Sequence, residues 1–258
     1  MKNSRKGLII FLLILCVFVV TGGILVRKYY PRWQAELKFY FMQKEVDKKE
    51  KKNADSDGDT AKATVNFASL KAENPDVIGW IKVPGTEINY PVLMSSADKD
   101  TDYYLSYTFD GKKSRPGCIY VEKEQSSDFS DFNTIIYGHN MRNGTMFGTL
   151  KRYKDEDFFQ SHPEFTIETE NRLLTYKVYV SIRMDNRHLL HSYDMTTSEG
   201  RQQYLDDISK GTDSYFHQSD IKPTTEDHLI TLSTCIGQDQ THRFLLVGVL
   251  EKSQAIKQ

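Results

Sequence analysis

The chain has 258 residues, 39% hydrophobic and 12% aromatic, enough for one folded domain plus a tail or for two small domains. Its formal net charge of −1 gives no reason to expect a nucleic-acid partner. Three cysteines, one of them in an apolar N-terminal run, do not make a disulfide framework.

Lys2, Arg5 and Lys6 precede an apolar run, residues 7–26, with no charged side chain. About 20 such residues are what a helix needs to span a bilayer core. A cleaved signal peptide is the rival reading. Its apolar core is shorter, and Thr21-Gly22-Gly23 is a poor cleavage site. The run is therefore read as an uncleaved anchor behind a short tail, residues 1–6. Basic residues flank both ends, so charge alone does not orient it. Pro31 is expected to open a helix that carries Trp33, Leu37, Tyr40 and Phe41 on one face, packed on the folded domain or on the membrane surface. Residues 46–64 are charged and rich in Gly, Asp, Ser and Lys, which reads as a solvated helix end and linker. The stalk thus covers residues 27–65.

The folded domain is expected over residues 66–258. Asn66 is a candidate N-cap for a short helix stopped by Pro75. Strands are predicted at 78–83 and 88–92, joined by a Pro84-Gly85-Thr86 turn. The aromatic run 102–110 reads as core and loop packing. Strands follow at 118–121 and 134–137, then a loop and short helix over 145–157. Residues 165–168 and 173–182 read as a hairpin across Glu170-Asn171. Residues 197–210 read as a helix capped by Thr197, with Tyr204, Leu205 and Ile208 as its apolar face. Strands rich in apolar residues close the chain at 229–234 and 244–250. Many short strands, turn punctuation and few helices predict a mainly β fold with peripheral helices (α+β), closed or nearly closed into a barrel.

Three side chains sit at or near the predicted strand ends. Thr231-Leu232-Ser233-Thr234 leads into Cys235, Ile135-Ile136-Tyr137-Gly138 leads into His139, and Arg243 heads the last apolar run. A thiol, an imidazole and a guanidinium suit a nucleophile, its proton partner and an anion stabiliser. Because Cys235 has this use as a free thiol, a bridge to Cys118 is not expected. Ser233 shares a strand face with Cys235 by alternation and ranks above Thr234 as a substrate contact. Asn140 is counted with them as a substrate-binding candidate and is placed to orient the histidine loop. Asp239, near Cys235, reads as a solvated loop acid. His242 is the nearest rival to His139. His188 and His191 have no partner at ligand spacing and read as surface residues, so no metal site is expected.

The order of these motifs resembles a class B sortase over residues 66–251. The resemblance rests on Thr-Leu-Ser-Thr-Cys235 with Arg243, on Tyr137-Gly138-His139-Asn140-Met141, and on Asn74-Pro75-Asp76-Val77-Ile78-Gly79-Trp80 running into Pro84-Gly85-Thr86-Glu87. It implies a sortase-like barrel of about eight strands, N-terminal helices, and a long helix inserted before the cysteine-bearing strand. It implies a cysteine transpeptidase without a cofactor, in which Cys235, His139 and Arg243 are catalytic. The enzyme would cleave a sorting signal of the Asn-Pro-x-Thr or Ser-Pro-x-Thr kind after Thr. A thioacyl intermediate would pass the protein to an amine of peptidoglycan or its precursor. Its partners would be a secreted protein bearing that signal, the wall amine and the membrane. The resemblance also breaks the orientation tie, placing the N-terminus in the cytoplasm and the catalytic domain outside the cell. Two other readings use the same residues differently: a cysteine peptidase that hydrolyses, and a catalytically silent extracellular scaffold.

Overall fold

The computed structural model describes residues 2–54, 61–211, 213–237 and 239–256. Nine strands form one sheet: β1 (Val77–Lys82), β2 (Asn89–Met94), β3 (Ile119–Val121), β4 (Asn133–Tyr137), β5 (Glu164–Glu168), β6 (Arg172–Asp185), β7 (His217–Gln218), β8 (Leu229–Ile236) and β9 (Asp239–Ala255). The sheet order is β5-β1-β2-β3-β4-β8-β9-β6, and β6 pairs back to β5. That last pairing closes an eight-stranded barrel, the fold expected from the resemblance, and β7 adds to β6 outside the ring. Closure removes the open edges at which chains aggregate. Two pairings, β2–β3 and β4–β8, are parallel and the rest antiparallel. Parallel neighbours need long crossovers. The one between β4 and β8 holds β5, β6, β7 and the helices α4 (Glu156–Ser161), α5 (Leu189–Ser192) and α6 (Ser198–Ile208).

The strands read as continuous apolar runs because both of their faces are covered. Ile136, Ile230, Leu232 and Leu246 point into the barrel core, whereas Ile135, Leu229, Leu245 and Val247 belong to a second cluster. That cluster lies under α6, which contributes Tyr204, Leu205 and Ile208, each at most 5% exposed. At about 1.5–3 kcal/mol per fully buried large apolar side chain, this face suffices to dock an 11-residue helix. Thr197 caps α6 by accepting from the Gly200 amide, as its position predicts. Asn66 caps α2 (Phe67–Glu73) in the same way through the Ser69 amide. At the β1–β2 turn Gly85 adopts φ +71°, a conformation that glycine adopts without a Cβ penalty.

The N-terminal region departs from expectation. A single helix, α1 (Lys2–Ala54), contains Pro31 in its interior instead of starting at it. The segments Phe11–Arg27 and Tyr29–Asn53 meet at a 42° bend, and a proline ring near such a bend removes one helical hydrogen bond. Among the described residues no single helix is long and apolar enough to cross a membrane; the bent pair passes that test only together. The apolar side chains from Phe11 to Val26 are largely exposed. The stripe Trp33, Leu37, Tyr40 and Phe41 is 38–60% exposed. A different face docks instead: Ala35, Phe39 and Val46 are buried, and Phe39 meets Tyr90 of β2 edge-to-face at 5.4 Å. Lys82 of β1 pairs with Asp47 at 3.0 Å, and Lys38 pairs with Glu73 at 2.6 Å. The charged stretch expected as linker is therefore helical as far as Ala54, and residues 55–60 lie outside the described residues.

Candidate active site

The parallel pairing of β4 and β8 sets Tyr137 opposite Ser233, so both strands run out at the same end of the barrel. His139 follows β4 by two residues, and Cys235 is the penultimate residue of β8. The antiparallel hairpin then returns so that Arg243 of β9 lies opposite Cys235. Strand register alone thus brings the thiol, the imidazole and the guanidinium to one cleft of about 310 Å³. Gly138, Ser233 and Thr234 also line it. All three cysteines are free; Cys118 is buried and Cys235 half-buried.

The two loops are tied together. The Gly138 amide donates to the Ser233 carbonyl at 3.2 Å, and the buried Thr234 hydroxyl donates to the Gly138 carbonyl at 2.7 Å. Asn140 Nδ2 donates to the Cys235 carbonyl at 2.8 Å. Thr234 and Asn140 therefore spend their polar atoms holding the histidine loop to the cysteine strand. Ser233 lines the cleft on the same strand face as Cys235.

His139 donates through Nε2 to the Leu105 carbonyl at 2.9 Å, which leaves Nδ1 as the ring's acceptor. Burial lowers its pKa below the ordinary imidazole value; the Leu105 bond opposes this, and the Arg115 charge adds to it. Leu105 belongs to α3 (Tyr103–Ser106), which the Asn74-Pro75-Asp76 motif holds in place. Asn74 Nδ2 donates to the Tyr104 hydroxyl at 3.0 Å, and that hydroxyl donates to Asp76 at 2.7 Å. A motif more than 60 positions upstream of the histidine thus supports it through one tyrosine and one backbone carbonyl.

Arg243 Nη1 donates to the His242 carbonyl at 3.1 Å, which anchors the guanidinium to its own strand. Asp239 accepts from Thr241 and from His242 Nδ1 at 2.8 Å. The Thr241 hydroxyl bond comes first among the causes that lower its pKa to about 2. Asp239 is therefore engaged within its own loop instead of being merely solvated, and His242 turns to it. Among the described residues no group of three or more His, Cys, Asp or Glu side chains is placed to hold a metal.

Sequence reasoning missed several cleft residues. Leu105, Tyr120, Glu122 and Tyr137 line the cleft together with the segment from Asp185 to Leu189. His188, read as a plain surface residue, bonds through Nε2 to Glu122 at 3.0 Å. Glu122 carries a faint signal, as the first polar residue after an apolar strand; nothing in the sequence marks Leu105 or His188.

Comparison with known proteins settles the family. The sortase-domain family model matches residues 81–251. The chain belongs to the sortase family. Sortase B of Listeria monocytogenes is 37% identical over 169 residues, covering 64% of this chain and 65% of that protein. Sortase B of Staphylococcus aureus is 27% identical over 256 residues, 98% of this chain and 99% of that protein. The S. aureus enzyme solved as a substrate complex has a TM-score of 0.71 at 26% identity, covering 86% of this chain and 99% of that one. A sortase B solved in complex with triglycine gives the same values. With these relatives the chain falls in class B, and its enzyme type is that of a sortase B cysteine transpeptidase.

Proposed function

We propose that this sortase cleaves a sorting signal of the Asn-Pro-x-Thr or Ser-Pro-x-Thr kind after Thr and transfers the protein to an amine of peptidoglycan or its precursor. The carrying observation is the convergence of Cys235, His139 and Arg243, from three separate stretches of chain, on one cleft. The Cys235 thiolate attacks the threonine carbonyl carbon. Arg243 stabilises the oxygen that becomes negative. The C–N bond breaks, and the leaving amine takes its proton from His139 as imidazolium. An incoming amine then attacks the thioester, gives its proton to His139, and the Cys235 sulfur leaves. Burial holds the His139 pKa below the ordinary imidazole value, which disfavours the imidazolium that donates this proton.

The substrate and triglycine complexes of the sortase B relatives support a peptide in this cleft and a glycine-type amine as acceptor. Residues 7–26 act as a single-pass anchor, with the tail in the cytoplasm and the domain from residue 66 outside the cell. The uncharged run and its exposed apolar side chains from Phe11 onward support that reading. Ser233 contacts substrate, while Thr234 and Asn140 act through the loops they tie.

The test uses the full chain in detergent with peptides bearing Asn-Pro-x-Thr, Ser-Pro-x-Thr and Leu-Pro-x-Thr cores. Intact-mass analysis should find an acyl adduct on Cys235, absent from Cys235→Ala, with one of the first two cores. An adduct formed only with Leu-Pro-x-Thr would overturn the signal preference. No adduct and no cleavage with any core would overturn the reaction.

A further inference from the structure

Glu122 is the most deeply buried carboxylate in the cleft wall, with 7% side-chain exposure. A carboxylate so placed needs hydrogen-bond partners. Tyr137 donates one bond through its hydroxyl, at 3.2 Å, and His188 Nε2 gives the other at 3.0 Å. The first partner stays on the barrel, because Tyr137 ends β4. The second comes from a different element. Glu122 follows β3 one place beyond Val121, which pairs with Ile136 of β4, so it lies on the barrel beside β4, whereas His188 follows β6, where the crossover toward β8 begins. The segment from Asp185 to Leu189 lines the cleft. Its outer side is fastened to β9, with Asn186 bonded to the carbonyls of Thr241 at 2.9 Å and Gln240 at 3.0 Å. Toward β3, the fastening is His188.

The imidazole is held for this task. It stacks on His191 at 4.2 Å, and its own carbonyl accepts the amides of His191 and Ser192, each at 3.0 Å, to start α5. The neighbouring Arg187 is committed elsewhere, to Asp185, Tyr193 and Asp207.

We propose that Glu122 and His188 are positioning residues whose bond seats the segment from Asp185 to Leu189 against the barrel and so sets the affinity for substrate. The inference rests on the reading that this cleft binds the sorting peptide. Neither residue touches the reacting atoms. Losing their bond frees that segment and weakens substrate binding, while the chemistry at Cys235 proceeds at its usual rate. The Glu122 side chain is buried while that of His188 is 42% exposed; a hydrogen bond to a buried carboxylate is large enough to change binding by about tenfold.

The experiment compares wild type, His188→Ala and His188→Gln in the full chain. Gln keeps an N–H donor near the position of Nε2. KM for an Asn-Pro-x-Thr peptide should rise about tenfold in His188→Ala, with kcat within about twofold, and most of the rise should be absent in His188→Gln. In parallel, hydrogen exchange at the His191 and Ser192 amides should speed up in His188→Ala and remain near wild type in His188→Gln. An unchanged KM, a fall in kcat at constant KM, or equal KM values for Ala and Gln would overturn the proposal. If wild type cleaves no peptide, the functional reading has failed on its own. Exchange then decides the latch: faster exchange in His188→Ala upholds it, and unchanged exchange refutes it.

Discussion

Gly138→Ala tests how tightly the histidine loop is built. A Cβ at this position would lie 2.5 Å from Ile119 Cδ1 and 2.8 and 2.9 Å from two ring atoms of Phe147. Carbon atoms rest about 3.5–4.0 Å apart, so the methyl overlaps two different side chains by about 1 Å. Ile119 and Phe147 are 1% and 0% exposed, and a close-packed core gives them nowhere to retreat. The backbone of Gly138 yields instead, and it is bonded on both its polar atoms to the cysteine strand. Overpacking of this kind costs about 1–3 kcal/mol, and each kcal/mol lowers Tm by about 2–4 °C in a domain of this size. A displacement of about 1 Å at a catalytic group reduces turnover by about 100-fold. Peptide cleavage and thermal melting should therefore show kcat falling far more than stability does. Adding Ile119→Val removes the atom of closest approach and should recover part of the activity, though not all, because the Phe147 contacts remain. A Gly138→Ala enzyme with kcat within about twofold of wild type would refute the reasoning.

Tyr104→Phe removes the hydroxyl that joins Asn74 and Asp76 beneath α3, leaving Asp76 to Lys99 at 2.6 Å. Melting should show a loss of about 1–3 kcal/mol, with lowered kcat as the Leu105 carbonyl loosens; unchanged values on both counts would sever this support from His139. Burial depresses the His139 pKa, so in the window between its folded value and about 6.5 the unfolded chain binds more protons than the folded one. His139 thus contributes stability that is present above about pH 6.5 and lost as pH falls through the folded pKa. The Tm difference between wild type and His139→Gln should accordingly shift in favour of wild type from pH 5 to pH 7.5. Within the folded domain, iodoacetamide should alkylate Cys235 and spare Cys118, whose thiol is fully enclosed and has its pKa pushed up by burial. Mass mapping of the two peptides reads this directly.

The parts of this structure that are legible in sequence are those written locally. Cys235 and His139 sit where a strand meets a loop, whereas Arg243, expected at the head of the last strand, lies inside β9, which already begins at Asp239; the caps Asn66 and Thr197 announce their helices by residue type. The apolar runs at β8 and β9 mark buried strands, and α6 shows its face by spacing. What the sequence conceals depends on register and on long-range contact. Nothing near Leu105 marks its carbonyl as the partner of His139, because a backbone acceptor has no residue-type signature. His188 is an exposed histidine in the fold as well, and its bond to Glu122 is visible only once the segments after β6 and β3 are brought together at the cleft. The docking face of α1 is concealed for a related reason. Trp33, Leu37, Tyr40 and Phe41 make the larger apolar stripe, yet the small Ala35 together with Phe39 and Val46 fits against β2.

The central claim is that Cys235 forms an acyl-enzyme that an amine resolves. The most direct measurement incubates the full chain with the cleaved Asn-Pro-x-Thr or Ser-Pro-x-Thr peptide, with and without triglycine, and identifies the products by mass. The account requires a peptide ending in Thr joined to triglycine, made by wild type and by neither Cys235→Ala nor His139→Ala. Hydrolysed peptide alone, at every triglycine concentration, would contradict transfer to a glycine-type amine. Joined product from Cys235→Ala would contradict the thioacyl route altogether.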